Sequence, residues 1–103
     1  MEGAVSGGPA DEAARQRRDL LYSGRVQGVG FRYTTCQIAA RYRVAGYVQN
    51  LNDGQVRLVA EGETAELDAF IGAVEQELGR YIQNIHSRSS KPTGEFGGFE
   101  IHF

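Results

Sequence analysis

The sequence holds 103 residues, 41% of them hydrophobic and 23% charged, enough for one domain with a single core and no covalent staples. With 13 acidic against 11 basic side chains it lacks the basic stripe of a sequence-blind nucleic-acid binder, so any anion site must be built locally. The lone Cys36 permits no internal disulfide, and neither a membrane-length apolar run nor a hydrophobic signal core is present, so a soluble cytoplasmic protein is expected.

Residues 1–18 combine Gly3, Gly7, Gly8 and Pro9 with charge and little to bury. A disordered tail is expected there, with Arg15, Arg17 and Arg18 solvated at its end, and a folded domain over residues 19–103. From Asp19 the pattern alternates: Leu20, Tyr22, Gly24 and Val26 fall on one face of a half-buried strand. From Phe31 the period changes to that of a helix. Phe31, Thr35, Ile38, Ala39 and Tyr42 form one apolar stripe, with Arg41 and Arg43 toward its C-terminal end, where cations suit the helix dipole.

Strands follow over about Ala45–Leu51 and Gln55–Glu61, joined by Asn52-Asp53-Gly54, whose Asp-Gly pair suits the positive φ of a hairpin turn. Thr64 is the expected N-cap of a second helix, with Leu67, Phe70, Ile71, Val74 and Leu78 as its buried stripe and Gly79 as its stop. Tyr81–Arg88 carries a mixed strand pattern, and the Ser-, Gly- and Pro-rich run 89–98 reads as a loop. Phe99, Ile101 and Phe103 alternate as a short extra C-terminal strand facing the core. The order is an α+β split-βαβ (βαββαβ) sandwich of the ferredoxin-like class, two helices on one face of a mainly antiparallel sheet. That fold hosts many activities and decides none.

Two stretches carry candidate chemistry. The first is Gly24-Arg25-Val26-Gln27-Gly28-Val29-Gly30-Phe31-Arg32, between the first strand and the first helix. Glycines free the backbone to turn and leave amides unobstructed, and a helix N-terminus favours anions. The amides of Gln27, Gly28, Val29, Gly30 and Phe31 can converge on one anion as a nest, with Arg32 neutralising a second charge from the side. On local pattern alone, a tight turn that binds nothing fits as well. The second stretch is Gly46-Tyr47-Val48-Gln49-Asn50, ending just before the hairpin. Asn50 is either a turn-adjacent polar residue or a group that holds a water and aims its lone pair at an electrophile. His86 and His102 lack nearby ligand types, so no metal site is expected. Cys36 is read as a packing residue.

The first stretch resembles the signature of the acylphosphatase family, and Gly46–Asn50 followed by Asn52-Asp53-Gly54 resembles its second signature. The closing Gly98-Phe99-Glu100-Ile101-His102-Phe103 is similar to the family's last strand, with Tyr47, His102 and Phe103 departing from its usual tryptophan, basic residue and tyrosine. The resemblance covers about Asp19 to Phe103. It implies hydrolysis of the carboxyl–phosphate bond of acyl phosphates without metal or organic cofactor. Arg32 and the loop amides would bind the phosphoryl group, and Asn50 would orient the attacking water. A small-molecule substrate, no nucleic-acid or membrane partner and a monomeric state are the accompanying expectations. The main rival, an RNA-recognition module of the same element order, needs aromatics on its middle strands, and Gln55–Gly62 has none.

Overall fold

The computed structural model describes residues 15–103. The strands are β1 (Arg15–Gly24), β2 (Val44–Asn50), β3 (Val56–Glu63), β4 (Ile82–Ser90) and β5 (Phe99–His102); the helices are α1 (Phe31–Ala39) and α2 (Thr64–Leu78). They form one five-stranded sheet in the order β4-β1-β3-β2-β5, antiparallel except where β5 joins β2 in parallel. The expected split-βαβ arrangement is what forms. Among the described residues, no helix is long and apolar enough to cross a membrane.

Register decides which side chains meet the helices. Leu20 opposes Leu58 and Tyr22 opposes Val56 across β1 and β3, while Val48 opposes Leu58 across β2 and β3; all are buried. Phe70 and Leu67 of α2 and Phe31 and Ile38 of α1 close over them. The periodic stripe of each helix is thus the face it buries.

Several boundaries differ from the sequence pattern, among them β4, which runs on through Ser89 and Ser90 into the expected loop. β1 starts at Arg15, so the last four residues of the expected tail are strand; residues 1–14 lie outside the described residues. Arg15–Arg18 offer no apolar signal, yet they pair with β3, and the charges of Arg17 and Arg18 are matched. Arg17 lies 3.4 Å from Glu61, and Arg18 reaches Asp68 of α2 at 2.7 Å. α1 ends at Ala39, ahead of Arg41 and Arg43, so neither sits in its last turn, although half-buried Tyr42 still packs against the core. Thr64 opens α2 as its first helical residue, and Glu63 takes the cap position.

Among the described residues no helix covers the sheet's other face, but it is not bare. Residues 91–98 strap across it, held by buried Glu61, whose carboxylate accepts the Thr93 and Gly94 amides and the Thr93 hydroxyl, each at 2.9 Å. Phe96 in that strap meets the Tyr47 ring edge-on at 5.9 Å. The Ser/Gly/Pro composition that marks a loop is therefore compatible with a fixed one, because a buried charged acceptor collects its donors.

Candidate active site

The loop between β1 and α1 alternates anchors with open positions. Val26 is fully buried, Val29 is half-buried against the core, and Phe31 is buried, whereas Gly28 and Gly30 are exposed and both take φ of 79°. That left-handed backbone is where glycine is favoured over any residue with a Cβ. Gly30 caps α1 in this conformation with no side-chain cap bond, and the helix has no acidic residue in its first turn. Among the described residues, no hydrogen bond takes up the amides of Gln27, Gly28, Val29, Gly30 or Phe31 as donors. A helix N-terminus left open in this way carries the partial positive charge of its unpaired N–H groups.

Gln27 has a role the sequence pattern did not reveal. Its side-chain amide donates to the carbonyls of Leu51 and Gln55, both at 2.8 Å. Those carbonyls flank the hairpin between β2 and β3, which Gly54 turns at φ of 92°. One side chain therefore ties the glycine loop to the hairpin that follows Asn50. The register explains Asn50 itself: it opposes Val56 at the end of β2, on the helix-covered face, under the start of α1. Its side-chain oxygen is buried and has no hydrogen-bond partner. A buried acceptor without a partner costs free energy unless something else fills it.

Gly28, Gly30, Phe31, Arg32 and Asn50 line one cleft of about 220 Å³. Gln27 and Val29 stay outside its lining, the first as a staple and the second as an anchor, and exposed Arg25 does not reach it either. The Arg32 guanidinium is set by the chain's last residues. It donates to the His102 carbonyl at 3.5 Å, and its carbon lies 4.9 Å from the centre of the Phe103 ring. Tyr33, Ile101 and Phe103 complete the mouth of the cleft. Phe103, expected to face the core, is 94% exposed, because β5 ends one residue earlier and the ring turns out beside Arg32. Although the chain is acidic overall, the described residues lining this cleft include one arginine and no acidic side chain.

A larger, more open depression of about 590 Å³ lies on the helix-free face, bordered by Asp19, His86 and Arg88. It contains none of the glycine loop, and its Asp19 is already held by Arg57 through bonds of 3.0 and 3.1 Å. Cys36 is half-buried against the core, and burial, with the Glu100 charge second, pushes its thiol pKa up. A thiol kept protonated in this way is a packing group rather than a nucleophile.

The model of the family described as Acylphosphatase matches residues 18–101. The chain belongs to the acylphosphatase family. Its relatives include the acylphosphatase of Listeria monocytogenes (serotype 4b, strain F2365), 39% identical over 90 residues that cover 85% of this chain and 97% of that one. The crystal structure of acylphosphatase from Bacillus subtilis superposes with a TM-score of 0.77 at 31% identity, over 85% of this chain and 99% of the other. The same fold recurs within HypF of T. kodakarensis, at a TM-score of 0.70 and 27% identity, where it occupies only 12% of the longer chain. Membership in the acylphosphatase family makes this protein a hydrolase acting on acid anhydrides.

Proposed function

We propose that the cleft between the glycine loop and the end of β2 is where an acyl phosphate is hydrolysed, with Arg32 and Asn50 as its two catalytic residues. The observation that carries the assignment is their shared cleft: an open helix N-terminus and a guanidinium on one side, and the unpartnered buried oxygen of Asn50 on the other. The amides of Gly28, Gly30 and Phe31, which line the cleft, take the phosphoryl oxygens, and Arg32 neutralises the charge spread over them in the transition state. Asn50 accepts a hydrogen bond from a water and turns its lone pair toward phosphorus, opposite the leaving oxygen.

Attack forms the new P–O bond as the bond to the acyl oxygen breaks, releasing a carboxylate and inorganic phosphate. The carboxylate is a weak base, so no side chain need protonate it, and the water's proton passes to a phosphoryl oxygen. Arginine stays protonated and cannot serve as the base. The described lining offers no Asp, Glu, His or Cys side chain to hold a metal, and the reaction as drawn calls for none. The cleft is lined from one chain, which supports a monomer acting on a small molecule. Nucleic acid is not an expected partner: Tyr47 on the helix-free face is occupied by Phe96 and stacks on His102 at 4.1 Å.

The test is hydrolysis of benzoyl phosphate by the purified chain, with and without excess EDTA. Turnover should be unchanged by the chelator and lost in Arg32→Ala together with affinity for inorganic phosphate. Wild-type turnover in Arg32→Ala would overturn the assignment.

A further inference from the structure

Three large apolar side chains stand exposed among the described residues: Tyr33 at 64%, Phe103 at 94% and Ile85 at 37%. Two of them, Tyr33 and Phe103, line the cleft that holds Arg32 and Asn50. Aromatic surface left in water beside a polar pocket is a common sign of a ligand surface. Neither ring has a part in the phosphoryl chemistry above.

We propose that Tyr33 and Phe103 form an acyl-group subsite that directs this acylphosphatase toward acyl phosphates with aromatic or extended apolar acyl groups, in preference to acetyl phosphate. The proposal rests on the reading that the phosphoryl group sits at Arg32 and the loop amides. In an acyl phosphate one bridging oxygen separates phosphorus from the acyl carbon. A phosphoryl group held by Arg32 therefore brings the acyl group to the cleft mouth.

Both rings are placed to receive it there. Tyr33 follows Arg32 directly on α1, and its hydroxyl accepts a hydrogen bond from the Gln37 side chain one turn later, at 3.3 Å, which restrains the ring. Phe103 follows β5, and its ring lies 4.9 Å from the Arg32 guanidinium carbon, so the cation and the ring adjoin. The Arg32 contact occupies little of the ring, which stays 94% exposed, leaving its surface available to an acyl group. Ile101, half-buried beside them, extends the apolar wall inward.

Such contacts hold the acyl group equally in the bound substrate and in the transition state, so they act on KM and not on kcat. That separates a subsite from a role in aiming Arg32. If Phe103 acted only through the guanidinium, its loss would weaken inorganic phosphate binding and hurt every substrate alike.

The experiment is steady-state kinetics of the full chain with benzoyl phosphate and acetyl phosphate. It compares the wild type with Tyr33→Ala, Phe103→Ala and Phe103→Tyr, with Ile85→Ala as an exposed apolar control outside the cleft. Each alanine variant at the rings is expected to raise KM for benzoyl phosphate by about fivefold to tenfold, the scale of one aromatic contact. The benzoyl-to-acetyl ratio of kcat/KM should narrow by the same factor. Phe103→Tyr should keep the preference, and Ile85→Ala should match the wild type. The subsite is overturned if the ratio is unchanged in both alanine variants. It is equally overturned if both substrates lose equally while the inhibition constant of inorganic phosphate rises. Failure of the underlying site reading looks different: Arg32→Ala would then turn over both substrates at the wild-type rate.

Discussion

Glu61→Ala is the substitution whose cost the structure defines most closely. Glu61 is 4% exposed and accepts the Thr93 amide, the Gly94 amide and the Thr93 hydroxyl, each at 2.9 Å, with Arg17 at 3.4 Å. A hydrogen bond to a charged partner contributes roughly 1.5–3 kcal/mol. Losing the two amide bonds sets a scale of about 3 kcal/mol at the lower end of that range, less whatever the freed amides recover from water as the strap lifts. For a domain near 100 residues, about 3 kcal/mol corresponds to a fall in Tm of roughly 12 °C or more. Thr93→Val, which removes the hydroxyl bond but keeps the amide, should cost about 1 kcal/mol. Because both substitutions remove the bond between the Thr93 hydroxyl and Glu61, Thr93→Val should cost less in the Glu61→Ala background, where it removes only the bond the hydroxyl accepts from the Glu95 amide at 3.2 Å. The assay is thermal and urea unfolding of the two single variants and the double variant. A loss below about 1 kcal/mol in Glu61→Ala, or full additivity in the double variant, would refute the claim that Glu61 fixes the strap.

The same carboxylate, with Asp19, sets a pH dependence. Burial works to raise the Glu61 pKa, but the Thr93 and Gly94 amides, the Thr93 hydroxyl and Arg17 outweigh it and hold it below the ordinary 4.5; the Arg57 hydrogen bonds hold Asp19 below 3.8. A depressed folded-state pKa contributes stability that is complete above the ordinary value and lost as pH falls through the folded one. The urea midpoint should therefore decline below about pH 4.5, and less steeply in Glu61→Gln, as an unfolding series from pH 7 to 3 would read out. Tyr22→Phe should keep or raise Tm, because the Tyr22 hydroxyl is buried without a partner and burial, then the Glu75 charge, already pushes its pKa far up; a clear fall in Tm would reveal a partner such as a trapped water. Gly46→Ala should yield little folded protein, since a Cβ there would run into the Val59 carbonyl oxygen and would sit at a φ of 152°; normal expression and circular dichroism would contradict that steric account.

What the sequence made legible follows from where its signals are local. Period 2 at Leu20 and Tyr22 and the helical stripe at Leu67, Phe70 and Val74 are written into neighbouring residues, and the structure buries those positions. The Gly28 and Gly30 pair announced its positive φ because few other residues take that conformation without strain. Arg15–Arg18 gave no such signal. Their place in β1 depends on β3 and on acids more than 40 residues away, Glu61 and Asp68, which an apolar pattern cannot encode. The strap over 91–98 was illegible for the same reason, since its composition signals turns while its order comes from one distant carboxylate. At the site, the loop and Asn50 stood out as motifs. The Gln27 side chain that ties them together, and the outward turn of Phe103, depend on contacts across the fold.

The central claim is that Asn50 aims the attacking water while the loop and Arg32 hold the phosphoryl group. The most direct measurement is kcat for benzoyl phosphate in Asn50→Ala, taken beside the inhibition constant of inorganic phosphate. Losing the group that orients the water should lower kcat by about 100-fold or more, with phosphate affinity close to that of the wild type. A wild-type kcat in Asn50→Ala, or a loss confined to phosphate binding, would contradict the account.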